Sequence, residues 1–210
     1  KEWVGKSRIL PAIKGNSSGA LCRALAEHTP GCDLFSEGEM ETALASGFQP
    51  EKISLNGNSK LDANLKFLEK AIASRVRITL DDASELAAIE TISKRLGVVT
   101  AIRFRVRPNF PKLQAPSDFL VAKVPSELAN LGYKAGIPTE HLVSLGKKAL
   151  ASPYVKVTGF HLHLGRHRSE LAYWKEIMTG YAQLIGQLSR EWNGWTPDEI
   201  DIGGGFAQHL

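Results

Sequence analysis

The sequence predicts an α/β protein, a (β/α)8 TIM barrel of which about seven βα units are present. Short apolar segments, partly β-branched, alternate along the chain with longer segments whose apolar residues recur every three to four positions. Repeated strand-then-helix units indicate a parallel sheet, and seven evenly spaced units suit a closed barrel better than an open sheet. We therefore expect one incomplete barrel domain over residues 1–210, with the eighth βα unit absent.

The predicted elements follow one another in regular order, with one interruption. Strands are predicted at residues 9–13, 32–36, 53–55, 76–80, 98–106, 155–164 and 199–202. Helices are predicted at residues 17–28, 37–46, 61–73, 82–96, 139–151 and 170–192. Between residues 107 and 138 the periodicity is lost and prolines are frequent, and a connection of this length is usually functional.

Composition and charge exclude several classes of protein. Hydrophobic residues at 43% and charged residues at 23% are ordinary for a globular protein, and no apolar run approaches the length of a membrane span. The net charge is +4, and the basic residues cluster only around Arg105 and around Arg166–Arg168, which suits a small anion better than nucleic acid. Cys22 and Cys32 form no CxxC pair, which fits a reducing compartment and predicts a cytoplasmic protein.

In a TIM barrel the active site lies at the carboxyl ends of the strands, so the polar residues there are the candidates. Lys14 follows the first predicted strand, and partial burial would lower its pKa and free the amine to condense with an aldehyde. The alternative is an ordinary surface lysine. Gly203, Gly204 and Gly205 follow the last strand, where their N–H groups could approach a phosphate; the alternative is a flexible turn.

His161 and His163 lie on one face of the sixth predicted strand, because side chains alternate with period two. Three interpretations stay open from the strand alone. The pair could bind a metal, although no third or fourth ligand is evident. One imidazole could stack on a flat cofactor ring, or one histidine could be buried and hydrogen-bonded and the other exposed.

Seven segments, taken in order, resemble the fold-type-III pyridoxal-phosphate decarboxylases, whose barrel is of the alanine-racemase type and whose members include diaminopimelate, ornithine and arginine decarboxylases. The segments are residues 12–16 (Ala-Ile-Lys-Gly-Asn), 31–39 (Gly-Cys-Asp-Leu-Phe-Ser-Glu-Gly-Glu), 56–60 (Asn-Gly-Asn-Ser-Lys), 105–108 (Arg-Val-Arg-Pro), 134–137 (Lys-Ala-Gly-Ile), 159–165 (Gly-Phe-His-Leu-His-Leu-Gly) and 201–206 (Asp-Ile-Gly-Gly-Gly-Phe). Each segment alone is a weak indication, whereas the ordered set covers nearly the whole chain.

The resemblance implies a function and a role for each matching residue. It implies decarboxylation of an amino acid of the diaminopimelate or ornithine type, with pyridoxal 5′-phosphate as cofactor, in a homodimer that shares its active sites. The implied catalytic residues are Lys14, which forms the Schiff base, and His163, which stacks on the cofactor ring. The implied cofactor-binding set comprises Lys14, Asp33, Arg105, His163, Arg166, Gly203, Gly204 and Gly205, with Glu39 and His161 in support and no metal. We interpret Asp201 as a structural residue.

The chain also departs from the family pattern. Arg166 stands where the family has a serine that helps to bind the phosphate, although arginine can hold a phosphate with two hydrogen bonds. Ala135 replaces a phenylalanine and Arg107 an asparagine. The Glu-Pro-Gly-Arg motif of the eighth strand and the C-terminal β domain are expected to be missing from this chain. Two alternatives therefore stay open: an amino-acid racemase on the same scaffold, and a non-catalytic relative that binds a partner.

Overall fold

The computed structural model describes residues 6–61, 65–107, 135–164 and 171–205. The chain divides into two compact units. The first comprises Lys1–Leu80, Ser84–Ile102 and Ser152–Lys156, and the second Asp81–Ala83, Arg103–Ala151 and Val157–Leu210.

The first unit is built on three parallel strands that lie side by side in chain order. They are β1 (Cys32–Leu34), β2 (Ile53–Leu55) and β3 (Arg77–Leu80), and a further strand, β4 (Thr100–Arg107), begins in this unit. Its helices are α1 (Gly19–His28), α2 (Glu37–Ala45), α3 (Lys66–Ala73) and α4 (Glu85–Leu96). Cys32 is opposite Ile53 and Leu55 opposite Ile78, so the strand residues form a nearly continuous buried apolar layer, as parallel sheets do.

Residues at the helix ends explain where two of these helices begin and end. Ser36 Oγ accepts the Glu39 N–H at 3.4 Å, and the Glu39 carboxylate accepts the Phe35 N–H at 2.8 Å. The arrangement is a variant of the capping box in which the Glu39 carboxylate accepts from the residue before the N-cap, while Ser36 satisfies one backbone donor at the start of helix α2. Helix α4 ends at Gly97, whose φ of +65° is the left-handed conformation in which helices commonly terminate.

The second unit carries the end of β4 and three further strands. They are β5 (Ile137–Pro138), β6 (Val155–His161, from Val157 onward in this unit) and β7 (Glu199–Asp201), and the helices are α5 (Thr139–Ala151) and α6 (Leu171–Glu191). β5 pairs in parallel with β4, and β6 pairs in parallel with β7, which sets His161 opposite Asp201. Phe104, Phe160 and Trp192 pack together in its core, with ring centroids 5.7–6.3 Å apart.

The alternation of strands and helices predicted from the sequence is confirmed, with two differences. The predicted strand at residues 9–13 is wrong as a regular strand: Ala12 makes a single parallel bridge to Asp33, and a 3-10 turn follows at Ile13–Gly15. Pro11 has no N–H and only accepts, from Asp33 N–H at 2.9 Å, so a full ladder cannot form. Strand β5 was not predicted, because two residues carry no measurable periodicity.

None of the helices in the described part of the chain is long and apolar enough to cross a bilayer.

Two helical glycines allow a direct test of the packing in the second unit. A β-carbon at Gly146 in α5 would lie 1.9 Å from Trp192 Cζ2, whereas one at Gly186 in α6 would meet only Arg190 Nη1, at 3.7 Å. Gly146→Ala should lower the free energy of unfolding by roughly 1–3 kcal/mol, because the indole ring has to move out of a packed core. Gly186→Ala is the matched control and should raise it by up to about 1 kcal/mol, since alanine favours the helix. Denaturant unfolding of the two variants checks this, and equal stabilities would contradict the observed position of Trp192.

Candidate functional site

Lys14 lies in the 3-10 turn that follows the bridge between Ala12 and Asp33. Its side chain is exposed, and Nζ lies 4.4 Å from the centroid of the Phe35 ring. The expectation that Lys14 is partly buried is therefore wrong within the described residues, because the turn carries the side chain outward onto the face of an aromatic ring. The primary amine is accessible to a reactant.

Asp33 lies in a polar cluster at the centre of the first unit. Its Oδ1 accepts a hydrogen bond from Ser54 Oγ at 3.0 Å and a second from Asn56 Nδ2. Ser54 and Asn56 are fully buried, and Asp33 is half-buried. Asn56 Oδ1 makes no hydrogen bond among the described residues. Two neutral donors thus fix the orientation of this half-buried carboxylate.

Two other side chains of the first unit are not placed for chemistry. Both carboxylate oxygens of Glu39 serve the start of α2, since Oε1 also accepts from Ser36 Oγ at 3.0 Å. The supporting role in the cofactor site that the resemblance implies for Glu39 therefore becomes a structural one. Burial, with Asp33 and Cys22 adding to it, raises the pKa of the Cys32 thiol to about 12, so this thiol stays protonated.

In the second unit, the glycine run after β7 forms a tight turn against His163. Gly203 has a φ of +67°, and a β-carbon there would lie 2.6 Å from His163 Nδ1 and 2.7 Å from the carbonyl oxygen of Leu162. Gly203 N–H donates to Asp201 Oδ1 at 2.8 Å, and Gly204 N–H donates to His163 Nδ1 at 3.2 Å. Because Nδ1 accepts, this contact places the ring proton of His163 on Nε2.

The two histidines differ in their surroundings. His161 is buried and His163 is exposed, and their rings are nearly parallel, with centroids 6.4 Å apart. Within the described ranges, no group of three or more His, Cys, Asp or Glu side chains is placed to hold a metal ion. The exposed ring of His163 is of the kind that can stack on a flat cofactor ring, as the resemblance implies.

A buried ionic network lies behind the glycine turn, and sequence reasoning missed it. Asp201 Oδ2 lies 3.1 Å from Arg103 Nη1 and 3.0 Å from His161 Nδ1, the latter without the alignment of a hydrogen bond. Burial alone would raise the pKa of Asp201, but His161, Arg103 and the Gly203 N–H outweigh it and hold that pKa well below its usual range. Asp201 is therefore ionised and lies within an ionic network, and its structural role stays a prediction. The spacing of Arg103, Arg105 and Arg107 at every second residue of an otherwise apolar strand could have indicated the network.

Arg105 lies at the end of β4, where its Nη1 is 3.0 Å from Asp81 Oδ1. Both side chains are largely buried, which fixes the guanidinium in one position. Asp81, which follows β3, was not among the predicted site residues. Arg166 lies outside the described residues, so its predicted role in phosphate binding stays a prediction.

These features are typical of a cofactor-binding α/β barrel domain. An accessible lysine follows the position of the first strand, and a glycine turn follows the last strand. A family model described as "Pyridoxal-dependent decarboxylase, pyridoxal binding domain" matches residues 1–209, and the chain belongs to that family. The family named from the seven sequence segments is thereby confirmed, and so are the α/β barrel class and pyridoxal phosphate as the cofactor of the family.

Individual relatives agree with the family assignment. The chain is 30% identical over 207 residues to a diaminopimelate decarboxylase of Archaeoglobus fulgidus, covering 99% of this chain and 46% of the relative. It is 28% identical to the enzyme of the same name from Methanocaldococcus jannaschii, covering 99% of this chain and 45% of the relative. A crystal structure of diaminopimelate decarboxylase from M. jannaschii in complex with L-lysine superposes with a TM-score of 0.78 at 27% identity, over 94% of this chain and 43% of that one. The chain thus spans about half the length of the curated relatives that it matches.

The residues present fit pyridoxal phosphate. The first unit offers an exposed primary amine on Lys14, which an aldehyde requires. The second unit offers an exposed imidazole on His163 and a glycine turn, in which a β-carbon at Gly204 would meet no atom within 4 Å. Open backbone of this kind lets a phosphate approach N–H groups closely.

Proposed function

We propose that this chain is the cofactor-binding part of an enzyme that decarboxylates an amino acid of the diaminopimelate or ornithine type. The observation that carries the proposal is the close packing of the glycine turn against His163. It places backbone N–H groups beside the imidazole ring of His163. The similarity to diaminopimelate decarboxylases supports the same reaction class, and the diamino-acid substrate comes from those relatives rather than from a contact seen here.

Each residue has a proposed task. Lys14 would hold the cofactor as the Schiff-base lysine, since its primary amine can condense with an aldehyde and release water, and Nζ would later return a proton to the product. His163 would stack on the cofactor ring and limit its orientation. The Gly203–Gly205 turn receives the phosphate; the Gly205 N–H would bind it, while Gly203 and Gly204 shape the turn, since their N–H groups donate to Asp201 and His163. When bound, the cofactor withdraws electrons from the carbon that loses its carboxylate.

The remaining proposed tasks concern polar groups around the ring. Asp33 offers an oriented carboxylate, since Ser54 holds one of its oxygens. Arg105, fixed by Asp81, offers an oriented cation to an anionic group of cofactor or substrate. Arg166 is proposed as a further phosphate ligand. A homodimer and a cytoplasmic location remain predictions.

The test uses the full-length protein. It is mixed with pyridoxal 5′-phosphate, its visible absorption is recorded, and the adduct is fixed with borohydride and located by peptide mapping. We expect the adduct on Lys14, and CO2 release from meso-diaminopimelate or ornithine by the loaded protein. An adduct without CO2 release but with inversion of an amino acid's chirality would favour a racemase. No adduct on a folded protein would move the assignment to a non-catalytic relative.

A further inference from the structure

Arg103 is one of the most deeply buried side chains in the described part of the second unit, with 1% of its side-chain surface exposed. Its Nη1 lies 3.1 Å from Asp201 Oδ2, and its Nε lies 3.8 Å from Glu199 Oε1. A buried guanidinium is costly unless it is paired, so loss of its carboxylate partners would leave an uncompensated charge.

The two carboxylates that Arg103 meets are two residues apart on β7. Side chains at this spacing leave a strand on the same face, and a planar guanidinium can address both at once. Thr158 Oγ1 donates to Glu199 Oε1 at 3.1 Å, which holds the second carboxylate from the neighbouring strand β6. Arg103 is therefore held in one orientation and can in turn orient Asp201.

Asp201 transmits this orientation to the glycine turn. Its Oδ1 accepts the N–H of Gly203 two residues ahead, an Asx turn that stabilises the left-handed φ of +67°. Its Oδ2 lies 3.0 Å from His161 Nδ1, and the His161 ring lies parallel to that of His163. Rotation of the Asp201 carboxylate would break the hydrogen bond from the Gly203 N–H and the contact with His161 Nδ1.

We propose that Arg103 is a positioning residue for phosphate binding, which acts through Asp201 on the Gly203–Gly205 turn. The inference rests on the proposed function, in which this turn receives the cofactor phosphate. Arg103 itself does not have to touch the cofactor. Its removal should therefore weaken recognition of the phosphate group and leave recognition of the pyridine ring and aldehyde nearly unchanged.

The experiment compares pyridoxal 5′-phosphate with pyridoxal, which lacks the phosphate, in absorbance titrations of the full-length protein. Arg103→Met should raise the Kd for pyridoxal 5′-phosphate roughly tenfold to a hundredfold, because the turn loses the orientation on which the hydrogen bonds to the phosphate depend, and change the Kd for pyridoxal less than about threefold. Lys60→Met is the matched control, because it also removes a buried, ion-paired cation, and it should leave the ratio of the two Kd values unchanged.

Each outcome decides a separate point. Equal changes for both ligands in Arg103→Met, or no change, would overturn the inference while the proposed function stands. A wild-type protein that binds neither ligand, or that does not prefer the phosphorylated one, would overturn the proposed function and the inference with it. If Arg103→Met does not fold, Arg103→Lys, which keeps the cation but loses the fork, should show a smaller change of the same sign in the ratio. An unchanged ratio in Arg103→Lys would then overturn the inference.

Discussion

Replacement of Lys14 by alanine should reduce the borohydride-fixed cofactor adduct to background. The adduct requires a primary amine that condenses with the cofactor aldehyde, and Lys14 carries that amine in an exposed turn. Loss of the contact with Phe35 should lower the free energy of unfolding by no more than about 1 kcal/mol, so the variant should remain folded. Mass spectrometry of the peptide that contains residue 14, after reduction, measures the result.

Two further variants separate chemistry from charge. Lys14→Arg retains a cation over Phe35 but offers no primary amine, so it should lose the adduct as completely as Lys14→Ala. Lys52→Ala removes another exposed lysine, also in a 3-10 turn of the first unit, and should form the adduct like the wild type. An undiminished adduct in Lys14→Ala would show that a different lysine holds the cofactor.

The order of strands and helices could be predicted because each element carries its own periodicity. Helix α5 was predicted at its observed bounds, since its buried residues Leu142, Leu145 and Ala149 repeat at helical spacing. Strand β5 could not be predicted in this way. It depends on a tertiary contact: Gly136, with a φ of +97°, packs so closely on β4 that a β-carbon there would lie 2.9 Å from the backbone nitrogen of Arg107.

Only those residues of the candidate site that lie in short sequence motifs could be predicted. Lys14, His163 and the three glycines stand in segments that can be compared along the chain. The ion pairs that support these residues could not be predicted from motifs, because each pair joins positions distant in sequence. Arg103 contacts Asp201, 98 residues later, and Arg105 contacts Asp81, 24 residues earlier. Charge pairs of this kind are fixed by strand pairing and burial, which no local pattern encodes.

The buried ion pair between Lys60 and Glu85 should contribute strongly to the stability of the first unit. Lys60 Nζ lies 3.1 Å from Glu85 Oε1, with 0% and 3% of the two side chains exposed, and it also contacts the carbonyl oxygen of Gly57. Lys60→Met should lower the free energy of unfolding by roughly 3–5 kcal/mol, because it removes one partner of a buried ion pair. Urea unfolding followed by circular dichroism measures the loss.

A pair of the same type in the second unit provides the comparison. Lys147 Nζ lies 3.2 Å from Glu191 Oε2, but 56% and 46% of these side chains are exposed, so Lys147→Met should cost less than about 1 kcal/mol. The double variant Lys60→Met/Glu85→Leu removes both buried charges and should be more stable than Lys60→Met alone, since no unpaired charge remains. Equal losses in Lys60→Met and Lys147→Met would mean that water reaches Glu85 and that the pair is not buried. A double variant less stable than Lys60→Met would mean that the Glu85 side chain contributes through its shape or its other contacts rather than through its charge.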